Sequence, residues 1–296
     1  MQNNPKQKFG VALGGGGVRG LAHTLALREI DACGIKPSAI SGTSMGAIVG
    51  AMYASGIPGD ELATRVENYL IDESDSIKDK LNKTRKASKW LKVLSLDLRH
   101  GGILNTSRFL KVFGEALKVK TFEELEIPLH IVATNFWTGE QVVFSSGELL
   151  PAIHASMAIP GVFAPVVINN QVLVDGGLAN NVPYDVLEAL CDVVIAIDVA
   201  PQRHSNTSTP PDMTDAVIGM FDVLVEKIVA NRLQQDRPDI YINTGIKDVR
   251  VLDFHKAKEV MRQAKAPIAE LHKMLLPFCT EKNTQRTSRS SQQFSL

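Results

Sequence analysis

The chain has 296 residues, 44% of them hydrophobic and 22% charged, a composition that suits a water-soluble globular protein with a full buried core. Lys+Arg and Asp+Glu are equal at 32 each, so no global field draws nucleic acid, and none is expected as a partner. Three widely spaced cysteines, Cys33, Cys191 and Cys279, argue against a disulfide framework or a zinc site and read as small core residues in a reducing compartment.

The stretch from Met1 to Lys8 is polar and lacks the apolar core of a signal peptide. The longest weakly polar stretch, Ala47 to Ile57, is far short of the ~20 residues that span a bilayer. A cytoplasmic location is expected, with any membrane contact peripheral.

Lys8 to Leu13 is a short apolar run ending in glycines, the pattern of a buried strand. Val18 to Cys33 has helical spacing through Leu21, Leu25, Leu27 and Ile30, and Gly34 is placed to cap it. A second strand, Ser38 to Ser41, runs into Gly42 and is followed by an apolar helix from Met45 to Ala54. Strand, glycine loop, helix, strand, tight turn, helix is the rhythm of a parallel α/β sheet.

The character then changes. Asp60 to Asp75 holds six acids and one base, Arg65. Ile77 to Lys92 holds seven bases and one acid, Asp79, and is followed by Val93 and Leu94. The region 58–104 therefore reads as an insertion of charged helices rather than core. Its basic part, 77–94, is a candidate lid or a surface for anionic lipid, with a solvated helix face as the alternative.

Strands resume at Leu129 to Thr134 and Gln141 to Phe144. A hairpin is predicted from Val166 to Ile168 and Val172 to Asp175, with Asn169-Asn170 supplying the positive φ values of a two-residue turn. Asp192 to Val199 is a continuous apolar strand of the kind covered on both faces. After a Ser/Thr/Pro-rich loop, 201–211, a helix carries Val217, Met220, Leu224 and Ile228 on one face. A last strand, Asp239 to Asn243, precedes an amphipathic helix with Ala257, Met261, Ala264, Ile268, Leu271 and Leu275 in register. Pro267 should kink or split that helix. One domain is expected over 8–279, with a disordered polar tail over 281–296.

Three motifs carry chemistry. Gly42-Thr43-Ser44-Met45-Gly46 is a G-x-S-x-G elbow, in which a sharp strand-to-helix turn lifts a nucleophilic serine clear of the sheet. Gly14-Gly15-Gly16-Gly17-Val18-Arg19-Gly20 lies between a strand and a helix. It fits a dinucleotide fingerprint or, equally, a row of amides forming an oxyanion hole. The nucleotide reading needs an acid at the end of the second strand, where Ser41-Gly42-Thr43-Ser44 stands instead. The oxyanion reading is therefore preferred, with no cofactor. Asp175-Gly176-Gly177 ends a strand, and Asp175 is the candidate base for Ser44, since His23, His154, His204, His255 and His272 lie in no supporting motif. No metal cluster is visible.

The glycine loop with Arg19, the Ser44 elbow and Asp175-Gly176-Gly177 occur in the order seen in patatin-like phospholipases, and the chain resembles that family over roughly 8–201. It is similar to small bacterial members related to neuropathy target esterase. Ala155-Ser156-Met157-Ala158-Ile159-Pro160 and Asn180-Asn181-Val182-Pro183 look like further family blocks.

The resemblance implies a Ser44–Asp175 dyad without histidine. The implied fold is a three-layer α/β sandwich with a mostly parallel sheet, like the cytosolic phospholipase A2 catalytic domain. Amides of Gly15, Gly16 and Gly17 would hold the oxyanion, and Arg19 would brace the loop or add positive potential. Partial burial should raise the Asp175 pKa. A lipid or ester substrate is expected. An acyltransferase with the same acyl-enzyme and a non-catalytic lipid-binding protein are the alternatives.

Overall fold

A strand buried on both faces must place successive side chains into two different cores, and the sheet is built that way. The computed structural model describes residues 7–74, 114–115, 117, 119–202, 210–211 and 213–279. In β1 (Phe9–Leu13), Phe9, Val11 and Leu13 enter the larger hydrophobic core and Ala12 enters a smaller one on the opposite face. In β7 (Val193–Asp198) the same alternation sends Val193, Ile195 and Ile197 one way and Val194 and Ala196 the other.

These strands belong to an eight-stranded sheet in the order β5-β6-β3-β2-β1-β7-β8, with β4 paired to β3. The other strands are β2 (Pro37–Thr43), β3 (Leu129–Asn135), β4 (Gln141–Phe144), β5 (Val166–Ile168), β6 (Gln171–Asp175) and β8 (Ile240–Asn243). β3, β2, β1, β7 and β8 run parallel, while β4 and β6 pair antiparallel with β3, and β5 with β6. The fold is thus a mixed, mostly parallel sheet with helices on both faces, as expected.

The larger core is closed by α1 (His23–Ala32), α2 (Met45–Ala54), α3 (Gly59–Ser74), α4 (Leu149–Ser156) and α8 (Ala257–Leu275). The opposite face is covered by the one-turn helices α5 (Gly177–Asn180) and α6 (Asp185–Glu188) and by α7 (Met213–Gln235), with Leu187 and Val229 in the smaller core. The predicted hairpin forms at its expected place, with Asn169 at φ 50° and Asn170 at φ 61°.

Several expectations need correction. The helix predicted from Val18 opens as a 3-10 turn, Gly17–Ala22, and becomes α-helical only at His23. The start of the charged insertion is not all surface: Leu62, Ala63 and Val66 of α3 are buried, packed into the larger core. α8 runs unbroken through Pro267. The α7 face formed by Val217, Met220 and Leu224 is exposed, and Val225 and Val229 are buried instead.

Cys33 and Cys279 are joined by a disulfide across 246 residues of sequence, with their Cα atoms 4.4 Å apart. Spacing along the chain says nothing of this pairing. It follows from α8 lying along α1, where His272 Nδ1 is 3.1 Å from a Glu29 oxygen, so that the two helix ends meet within disulfide reach. Cys191 is free.

No described helix is long and apolar enough to cross a membrane. The basic stretch 77–94, the rest of the insertion after 74, most of the Ser/Thr/Pro-rich loop with His204, and the tail 281–296 lie outside the described residues.

Candidate active site

Register sets the site. Thr43 in β2 is paired with Val132 in β3, and Ala133, the next residue of β3, is paired with Asp175 at the end of β6. β3 therefore brings the residue after Thr43 level with Asp175. That residue, Ser44, is the hinge between β2 and α2, with φ 54° and ψ −120°. A non-glycine residue in this region is strained by roughly 1–3 kcal/mol, and such strain collects at functional sites. The turn is tight because α2 begins against β1: a side chain on Gly46 would collide with the Leu13 carbonyl. Gly20, Gly42 and Gly176 are likewise pressed against Met45, the Gly46 backbone and the Val132 carbonyl.

Asp175 is 1% exposed. Its Oδ1 accepts the Gly177 N–H at 2.8 Å, while Oδ2 is buried with no hydrogen-bond partner of good geometry. Burial pushes its pKa up to about 7; the Gly177 amide and the nearby Ser44 hydroxyl each pull the other way. Ser44, 5% exposed, and Asp175 line one small cavity together with Gly15, Gly16, Arg19 and Asn181.

The glycine loop is anchored on both sides of that cavity. Gly14 N–H donates to Ile197 O at 3.0 Å, and Gly15 N–H donates to Asn181 O at 3.0 Å. The Gly15 amide is therefore spent, which corrects its expected place among the oxyanion donors. The Gly16 and Gly17 amides donate to no described residue. Gly17, at φ +55°, sits so close to Val251 O that no side chain fits.

Arg19 braces this loop. Its guanidinium is 2% exposed and meets Asp222 of α7 at 2.7 and 3.3 Å, with further bonds to Val199 O and Val249 O. Every one of those contacts is structural, so bracing is the reading the geometry favours over a bare positive potential.

Sequence reasoning missed four supporting side chains. Asp222 is an acid on the inward side of α7, in line with the buried Val225 and Val229. Asn181, in one of the family blocks, donates from Nδ2 to Gly15 O at 3.1 Å and so holds the glycine loop against the Asp175 turn. Ser156, in the other block, receives the Ser44 N–H at 2.8 Å. His23 is fully buried, and burial lowers its pKa to about 4. It is therefore neutral, and Nε2, 2.7 Å from Gly14 O, must be the protonated nitrogen because a carbonyl can only accept. The block resemblance pointed to two of these; nothing in the local sequence pointed to Asp222 or His23.

No described histidine lines the cavity of Ser44 and Asp175. Ser44 also borders an apolar hollow formed by Met45, Ile48, Met157, Ile159 and Phe163, with Phe254. That hollow is about 30 Å³, far below the ~300 Å³ of an ordinary ligand pocket. A long apolar group must displace these side chains to enter.

Comparison with known proteins identifies the family. A profile of the family described as Patatin-like phospholipase matches residues 11–188. A patatin-like phospholipase domain-containing protein of Caenorhabditis elegans is 31% identical over 219 residues, 73% of this chain and 15% of that protein. An uncharacterized NTE family protein of Mycobacterium bovis is 28% identical over 78% of this chain and 62% of its own length. A lysophospholipase of Kluyveromyces lactis is 26% identical over 86% of this chain and 18% of its own length. The chain thus spans less than two thirds of each of these relatives. Among solved structures, VipD from Legionella pneumophila shares the fold, with a TM-score of 0.53 at 16% identity over 91% of this chain and 67% of that one. Because the matched region runs from within β1 past Asp175 and takes in more than half of the chain, the protein belongs to the patatin-like phospholipase family.

Proposed function

We propose that this protein is a serine acyl hydrolase for carboxylic esters of lipids, with Ser44 as nucleophile and Asp175 as general base. The observation that carries the reading is Asp175: a buried carboxyl with one unpartnered oxygen, in one cavity with a strained serine and with Gly16, in a loop whose Gly16 and Gly17 amides donate to no described residue. An ordinary aspartate, with a pKa of ~3.9, is too weak a base to take a hydroxyl proton readily near neutrality. Raised to about 7, Asp175 is better matched to the task.

The Asp175 carboxylate takes the Ser44 proton as Oγ attacks the ester carbonyl. The tetrahedral oxyanion is held by the Gly16 and Gly17 amides, each worth about 2.7–4 kcal/mol of barrier. Collapse breaks the ester C–O bond, and the departing alcohol recovers the proton from Asp175. Water then gives a proton to Asp175 and attacks the acyl-enzyme, and as the second intermediate collapses Asp175 returns that proton to Ser44 Oγ, releasing the acid. The apolar hollow beside Ser44 and the family membership support an acyl chain as the group carried.

The test is product release from phospholipid vesicles and from short- and long-chain esters. Wild type should liberate free carboxylic acid, and Ser44→Ala should liberate none above background. Equal release by the two proteins would dispose of the proposal.

A further inference from the structure

The Ala155-to-Pro160 block singled out in the sequence contributes no group to the steps above, yet it touches the backbone of both reacting residues. Ser156, the last residue of α4, is fully buried. Its Oγ accepts the Ser44 N–H at 2.8 Å and donates to Val132 O at 2.6 Å. Its own carbonyl accepts the Gly176 N–H at 3.3 Å, and two residues on, Ala158 O accepts the Asp175 N–H at 2.9 Å.

We infer that the segment Ser156–Ala158 is a bracket that fixes the distance and orientation between Ser44 and Asp175, with Ser156 as its positioning residue. The inference rests on the reading of those two residues as the reacting pair. The Ser44 amide needs an acceptor, and the Val132 carbonyl, buried in β3, offers one in turn for a donor. A single hydroxyl meets both at once, because it accepts with a lone pair while donating its hydrogen. The strained Ser44 backbone is thereby tied through Ser156 to β3, the strand whose other pairing carries Asp175. Alanine at 156 would take the acceptor from the buried Ser44 amide and a donor from Val132 O, and so release Ser44 from that tether.

The experiment compares Ser156→Ala with Ser41→Ala. Ser41 is a matched control, since it is equally buried, lies on β2 and spends its hydroxyl on Pro183 O at 2.7 Å. On a soluble short-chain ester, Ser156→Ala should lose about 10- to 100-fold in kcat, the range expected for misplacement of a reacting group, with KM changed less than about two-fold. Ser41→Ala should lose a similar amount of Tm and keep kcat within about two-fold. Ser156→Thr, which keeps a hydroxyl, should recover most of the loss. If Ser156→Ala does not fold, Ser156→Cys carries the test, because a thiol is a poor donor and acceptor; it should still lose about ten-fold in kcat at unchanged KM. The inference is overturned if Ser156→Ala (or Ser156→Cys in its place) keeps wild-type kcat, or loses no more than Ser41→Ala at equal Tm. Failure of the underlying reading shows separately, as Ser44→Ala turning over the ester as fast as wild type.

Discussion

α7 and α8 are the two long helices after β7, and each carries an apolar stripe at helical spacing, yet only on α8 is that stripe the buried face. On α8 the stripe Ala257, Val260, Met261, Ala264, Ile268, Leu271 and Leu275 is buried. On α7 Met213, Val217, Met220 and Leu224 are 81%, 40%, 58% and 46% exposed, while the buried line is Asp222, Val225 and Val229. The difference lies in what each helix packs against. α8 lays its stripe into the larger hydrophobic core beside α1 and the 3-10 turn, so hydrophobic burial orients it. α7 meets the guanidinium of Arg19, which cannot be deprotonated and must find a counter-charge if buried. Turning Asp222 inward answers that need and leaves the stripe outside. Periodicity locates a helix; the residue opposite decides its rotation.

Asp222→Ala should have the largest effect. It leaves Arg19 buried without its carboxylate, and such a loss costs about 3–5 kcal/mol. Urea unfolding should show it, and a loss under about 1 kcal/mol would mean that Arg19 does not orient α7. Next comes Leu271→Ala on α8, a fully buried side chain whose removal should cost about 2–5 kcal/mol by the same measurement. A change near zero there would show that the α8 stripe is not held as described. The smallest effect belongs to Met220→Gln and Leu224→Gln, each of which should shift stability by no more than about 0.5 kcal/mol. A loss of several kcal/mol from either would place that face against something in the folded chain.

The same logic explains what could be read in advance. Features fixed by neighbours in sequence were legible: α2 has its expected ends at Met45 and Ala54, and Asn169-Asn170 makes the turn its residue types demand. The serine at the strand-to-helix hinge was legible because glycines at 42 and 46 are needed for backbone to pass backbone. Features fixed by distant partners were not. Asp222 answers an arginine 203 residues away, Gly15 gives its amide to Asn181, and Cys33 finds Cys279 through the packing of α8 on α1. Pro267 was misread for a related reason. A helix interior that loses one backbone bond at a proline is expected to break, but α8 is held on both sides of it by the buried Ala264, Ile268 and Leu271.

The most direct measurement is the rate at which a fluorophosphonate probe modifies Ser44 as pH is varied, in wild type and in Asp175→Asn. Only the ionised carboxylate can accept the Ser44 proton, and burial holds that group's pKa at about 7. The wild-type rate should therefore fall as pH drops through about 7, with the adduct mapped to Ser44, whereas Asp175→Asn should react slowly and without that inflection. A probe adduct on another residue, or an unchanged pH profile in an Asp175→Asn protein that still reacts at the wild-type rate, would contradict the account.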